Sequence, residues 1–145
     1  MQSIREIHAS ETFSVRHPIL RPGKDLKTCH FDGDTLENTR HFGCFIDEEL
    51  AGVASLFQSN SNLLPEKEQF QLRGMAVLEK FQKKRIGESL VNYAEENAKS
   101  RHGKLIWFNA RENAVGFYEK LSYMKIGEPF EIATIGKHFV MYRFI

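Results

Sequence analysis

Ile86, Leu90, Val91, Ala94 and Ala98 recur at i, i+4, i+5, i+8 and i+12, a spacing that gathers them into one stripe only on an α-helix. Glu88, Glu95, Glu96 and Lys99 fall mostly off that stripe, so the helix has a wet face and a face that must be covered. Arg101 and His102 suit the negative end of its dipole, and Gly103 is expected to end it in a left-handed conformation. Strand-like segments flank it. Glu68 to Val77 carries Phe70, Leu72 and Val77, with Gly74 mid-strand where a glycine marks a bulge or a close backbone approach. Leu105-Ile106-Trp107-Phe108 is apolar without interruption, the pattern of a strand buried on both faces.

The rest of the chain supplies partners for this unit. Ser3 to Ile7 reads as a weak first strand, and Ser10 or Thr12 can cap a helix running towards Leu20, stopped by Arg21-Pro22-Gly23. Lys24 to Arg40 is turn-rich. His41 to Asp47 and Leu50 to Gln58 read as a hairpin, Ala114 to Leu121 as a short helix with Ala114, Phe117 and Leu121 on one side, and Met124 to Glu128 and Ile135 to Phe144 as closing strands. The order β-α-β-β-β-α-β-α-β-β predicts an α+β fold, a mixed sheet of six or seven strands with helices on its faces. At 145 residues this is one domain, 1–145, able to bury a core without disulfides or metal.

Charge excludes several functions. Twenty Lys and Arg against 19 Asp and Glu leave a net +1, which argues against wholesale binding to nucleic acid or a membrane surface. No apolar run is long enough to cross a bilayer. Cys29 and Cys44 lack metal-ligand spacing and read as reduced thiols, which with the absence of a signal segment gives a cytoplasmic expectation. No Walker loop, nucleophile elbow or zinc cluster is present, so no metal is expected.

The local exception to charge balance is Gln82-Lys83-Lys84-Arg85-Ile86-Gly87-Glu88, immediately before and within the first turn of the long helix. A helix N-terminus presents unpaired N–H groups and partial positive charge, a cradle for phosphate. Three cations there oppose the dipole and so cost stability unless an anion binds. The residues alone also allow a solvated basic turn.

This segment resembles the pyrophosphate-binding motif of the GNAT superfamily of acyl-CoA-dependent N-acetyltransferases, Gln/Arg-x-x-Gly-x-Gly/Ala, with Arg85 standing where the family has its first glycine. Downstream, Asn109-Ala110-Arg111-Glu112-Asn113-Ala114-Val115-Gly116-Phe117-Tyr118, ending in Ser122-Tyr123, resembles the family's Asn-x-x-Ala-x-x-Phe-Tyr-x-x-x-Gly-Phe, with Asn109 and Asn113 near the usual asparagine. Two motifs in the right order are far more specific than one.

The resemblance implies a splayed GNAT-like sheet and acetyl-CoA as acyl donor. It implies donor contacts at Met75, Ala76, Val77, Gln82, Lys83, Lys84, Arg85, Ile86, Gly87, Glu88, Asn109, Asn113, Phe117 and Tyr118. It also implies that an amine attacks the thioester directly while Tyr118 protonates the leaving thiolate. From packing alone, Tyr118 could equally be a residue that seats its helix. His138 is the titrating candidate for general base, beside Glu128 and Glu131; Arg21, Arg73 and Arg111 are candidates to clamp a carboxylate-bearing acceptor and read equally as surface residues. The expected acceptor is a small-molecule amine. The alternative is a CoA-binding sensor without catalysis. A homodimer is the default assembly, with the C-terminal strand available to a partner.

Overall fold

The computed structural model describes residues 1–145. Seven strands form one mixed sheet: β1 (Gln2–Ile7), β2 (Arg40–Ile46), β3 (Glu49–Gln58), β4 (Gln69–Val77), β5 (Leu105–Arg111), β6 (Met124–Ile132) and β7 (Gly136–Phe144), in the spatial order β1-β2-β3-β4-β5-β7-β6. Three helices accompany it, α1 (Phe13–Leu20), α2 (Ile86–Ser100) and α3 (Val115–Lys120). The expected α+β class and element order both hold. Packing groups the residues into two compact units, the first made of 1–57 and 72–97, the second of 58–71 and 98–145.

In the first unit β1, β2 and β3 run antiparallel, and a bulge interrupts β2 between Cys44 and Phe45. The β2–β3 turn places Asp47 and Glu48 at φ 47° and 70°, left-handed at both central positions, as the twist of a tight hairpin requires. Ile7, Val15, Phe45, Val53 and Ala76 share one core cluster. The α2 stripe behaves as its spacing demands, with Ile86, Leu90, Val91 and Ala94 buried. Gly52 lies under it, where an added Cβ would come within 2.9 Å of Ile86 and 3.2 Å of Leu90.

In the second unit β4 and β5 pair in parallel over Gln69–Gln71 with Leu105–Trp107, while β7 pairs antiparallel with both β5 and β6. Leu64, Leu105, Trp107 and Val140 form its core cluster, and Ile126, Phe130 and Tyr142 pack against them. Gln69 is fully buried and organises the preceding loop: its amide donates to the carbonyls of Leu64 (3.0 Å) and Glu66 (2.7 Å) and accepts from Ser61 N–H (2.7 Å).

Four expectations are corrected. The left-handed residue after α2 is His102 (φ 64°), not Gly103. Gly103 is there because an added Cβ would lie 2.7 Å from the Phe70 ring. Val115 and Tyr118 form the buried face of α3, which follows a 3₁₀ turn at Glu112–Ala114, while Phe117 is 40% exposed, because the rings of Phe108 and Tyr123 receive Tyr118. Strand β6 runs on through Gly127 (φ 77°) and Pro129 to Ile132, absorbing them in an irregularity between Ile126 and Phe130. Finally, β7 has a neighbour on each side, so it offers no free edge to a second copy; the edge strands are β1 and β6.

Candidate active site

The basic loop grows from the end of β4. Leu78 N–H bonds the Ala51 carbonyl at 2.8 Å, fixing where the strand stops, and a 3₁₀ turn at Glu79–Phe81 buries the Phe81 ring. Gln82 then folds back, its side-chain amide donating to the Val77 carbonyl at 2.9 Å. Lys83 and Arg85 both adopt left-handed backbone, φ 65° and 63°, and α2 starts at the next residue. Arg85 thus takes the conformation that glycine takes most cheaply, at the position where the resembling motif has glycine. Holding a non-glycine residue in this conformation carries a steric cost of about 1–2 kcal/mol.

The charges of this loop are differently disposed. Lys80 is paired with Glu49 at 2.7 Å, and Lys84 lies over the Phe81 ring at 5.6 Å. Lys83, Lys84 and Arg85 all reach solvent. Ser89 N–H reaches back to the Arg85 carbonyl at 3.1 Å, which leaves the N–H groups of Ile86, Gly87 and Glu88 without a partner in the helix, as at any helix start. Upstream in β4, Ala76 is buried, Met75 and Val77 are partly so, and Gly74 has φ 66°, the irregularity its mid-strand position predicted.

In the second unit Tyr118 is 8% exposed, its ring 4.2 Å from Phe108, 4.9 Å from Phe117 and 6.1 Å from Tyr123, centroid to centroid. Burial pushes its phenol up to about 12, so the hydroxyl keeps its proton throughout the physiological range. His138 is 5% exposed. Its Nδ1 lies 2.8 Å from the Gly136 carbonyl, so Nδ1 carries the proton of the neutral ring and Nε2 keeps its lone pair. Across the sheet His138 faces Arg111 on β5 and Phe130 on β6. Asn109, Asn113, Arg111, Glu128 and Glu131 are exposed.

Sequence reading missed a polar network in the first unit. Arg16 is completely buried and reaches Asp34 (2.6 and 3.2 Å), the Cys29 carbonyl (2.8 Å) and Ser55 Oγ (2.9 Å). His41 donates through Nε2 to the Asp34 carbonyl (2.8 Å) and accepts the Ser55 hydroxyl at Nδ1 (2.6 Å). Burial of Asp34 would raise its pKa, but the Arg16 hydrogen bonds, the Phe31 N–H and the charges of Arg16 and His41 outweigh it and hold the carboxyl below its usual value. Burial lowers the pKa of His41. Ser, His and Asp side by side suggest a nucleophile, yet Ser55 is wholly inaccessible and its oxygen already engaged on two sides. The network braces the fold. Its members lie 18 and 39 residues from Arg16, and no local pattern announces such a pairing.

Neither cysteine is bridged, and both are buried. No group of three His, Cys, Asp or Glu side chains could hold a metal ion, and no helix is long and apolar enough to cross a membrane.

The sequence model of the Acetyltransferase (GNAT) family matches residues 1–123. The Bacillus subtilis (strain 168) protein YitI, an uncharacterized N-acetyltransferase, is 36% identical over 143 residues, covering 99% of this chain and 96% of its own. Among solved structures, Escherichia coli ElaA superposes with a TM-score of 0.76 at 20% identity, covering 99% of each chain. An aminoglycoside 6′-N-acetyltransferase complexed with coenzyme A superposes with a TM-score of 0.78 at 17% identity, covering 98% of this chain and 96% of that one.

Proposed function

Because the chain belongs to the acetyltransferase (GNAT) family, and is through that membership an acetyl-CoA-dependent N-acetyltransferase, we propose that it works as one cytoplasmic domain spanning 1–145 and acetylates the primary amine of a small molecule. The observation that carries the donor assignment is the backbone of Arg85. A non-glycine residue is held left-handed, at a steric cost, between two lysines and the open N-terminus of α2. An anion offsets that cost. In this reading Lys83, Lys84 and Arg85 supply full charges to the donor's phosphates. The N–H groups of Ile86, Gly87 and Glu88 supply directed hydrogen bonds. Met75, Ala76 and Val77 offer backbone groups to the pantetheine arm, and the later motif supplies Asn109, Asn113 and Phe117 as further donor contacts.

The chemistry follows from what each side chain can hold. The amine nitrogen attacks the thioester carbon, negative charge develops on the carbonyl oxygen, and β4 N–H groups stabilise it. Collapse breaks the C–S bond and expels the thiolate, which takes the Tyr118 proton. The proton the amine sheds passes to His138 Nε2, and solvent returns a proton to the tyrosine. A phenol at about 12 is a poor acid towards a thiolate whose reference pKa is about 8.5. The transfer becomes feasible where the thiolate is itself desolvated, since burial raises the pKa of both partners.

Isothermal titration with acetyl-CoA, compared with CoA lacking the 3′-phosphate, tests the donor assignment. Micromolar binding that weakens with salt supports it. Absence of binding to either removes it.

A further inference from the structure

Three arginines converge on one aromatic ring in the first unit. The guanidinium carbons of Arg16, Arg73 and Arg21 lie 3.9, 5.0 and 5.2 Å from the centroid of Phe31, and Arg73 also lies 5.1 Å from that of Phe57. Their roles differ. Arg16 is wholly inaccessible, its charge matched by Asp34 at 2.6 Å. Arg21 and Arg73 are only partly buried, and their hydrogen bonds go to carbonyls rather than carboxylates: Arg21 to Leu20 at 3.0 Å, Arg73 to Asp32 at 3.4 Å.

This arrangement is unfavourable as architecture. Each cation–π contact is only a weak attraction where water reaches it. Against that stand the mutual repulsion of like charges and the partial desolvation of Arg73, which together with Arg16 and Arg21 lower its pKa despite the opposing fields of Asp34 and Asp32. The fold has no need of the two outer cations, since Arg16 alone completes the pair with Asp34. Nε of Arg16 has no hydrogen-bond partner at all. Gly74, with no side chain, brings β4 against this cluster: an added Cβ would lie 3.1 Å from Phe31 and 3.2 Å from Arg16 Nε. Arg73 is separated by Gly74 alone from the Met75–Val77 segment proposed above to meet the acyl donor.

We propose that Arg21 and Arg73, seated on the Phe31 ring and backed by the buried Arg16–Asp34 pair, recognise a carboxylate of the acceptor. The substrate class is then an amine that also bears a carboxylate, the class to which amino acids belong. Planar guanidinium forks match carboxylate geometry, and the flat rings of Phe31 and Phe57 fix the forks with little rotamer freedom left to lose. The proposal rests on the N-acetyltransferase reading and narrows its acceptor.

The test works with simple acids, before the acceptor itself is identified. N-acetylglycine and N-acetylphenylalanine, each with its neutral amide, are titrated into the full-length protein while the side-chain Nε–H resonances of its arginines are followed by NMR. The acids should shift Arg73 and Arg21 saturably and bind about tenfold or more tightly than the amides, since a hydrogen bond to a charged group is worth that much. The preference should vanish in Arg73→Gln and survive weakened in Arg73→Lys. Acid and amide binding alike in the unmodified protein, or leaving both resonances in place, overturns the proposal. Acetyl-CoA titrated into the same sample separates the two ideas: loss of donor binding condemns the acetyltransferase reading, whereas donor binding without carboxylate preference condemns only the arginine site.

Discussion

His41 shows at the scale of one residue how packing sets a pH limit. Burial lowers its folded pKa, so the unfolded chain binds a proton more readily than the native one. The resulting stability is present above the unfolded value, about 6.5, and is lost as pH falls from there through the folded value. The depressed carboxyl of Asp34 extends the loss further into acid, below about 3.9. The urea midpoint should therefore drop steadily below neutrality, and a flat profile between neutrality and about pH 5 would contradict the buried His41 geometry. Tyr118 carries the opposite sign. Its raised pKa stabilises the fold below about pH 10 and is lost as pH climbs towards about 12. Tyr118→Phe should lose turnover by about a hundredfold or more if the hydroxyl is the proton donor. Its acetyl-CoA affinity should stay near that of the parent, and its stability should become less sensitive to alkali. Unchanged turnover would return Tyr118 to a packing role.

Among the elements, the loop between β4 and α2 separates stability from binding. Arg85→Gly relieves about 1–2 kcal/mol of left-handed strain and loses about 0.4–1 kcal/mol to unfolded-chain entropy. The variant should unfold at higher urea yet bind acetyl-CoA more weakly in low salt; a variant that loses stability would mean the arginine side chain itself anchors the loop. At the other end of α2, Gly103→Ala should cost about 1–3 kcal/mol through collision with Phe70, measured by the same denaturation. The contrast between these termini shows what the sequence carries. The α2 stripe, the β2–β3 hairpin and the Leu105–Phe108 run are legible because each is written in the spacing of near neighbours. That position 103 must be glycine because of the Phe70 ring is not, because Phe70 is more than thirty positions away in the chain. The buried face of α3 departs from expectation for a related reason: Phe117 and Tyr118 are adjacent and both aromatic, and only Phe108 and Tyr123 decide which turns inward. Of the candidate site, the motifs carry the donor loop and Tyr118. The arginines around Phe31 come from α1 and its C-terminal cap and, more than fifty positions on, from β4, and only folding assembles them.

For the whole molecule, the near-cancellation of 20 cations by 19 anions means that long-range attraction contributes little to capture of a polyanionic donor; local charge must do it. Donor binding then appears as stability of the native state. At a hundredfold excess over its dissociation constant, acetyl-CoA should add about 2.7 kcal/mol, seen as a rise of roughly 5–10 °C in Tm that continues with the logarithm of concentration. Donor lacking the 3′-phosphate should give a smaller rise at equal concentration, and equal rises would mean that the basic loop reads only the pyrophosphate. The position of β7 has a consequence of another kind, in time. This strand joins β5 to β6 yet is synthesised after both. Until it emerges, two strands of the second unit present bare edges, one of them the Leu105–Phe108 run of uninterrupted apolar residues, to every other nascent chain nearby. The interval between the making of β5 and the arrival of its neighbour is the moment at which this protein is most exposed to aggregation.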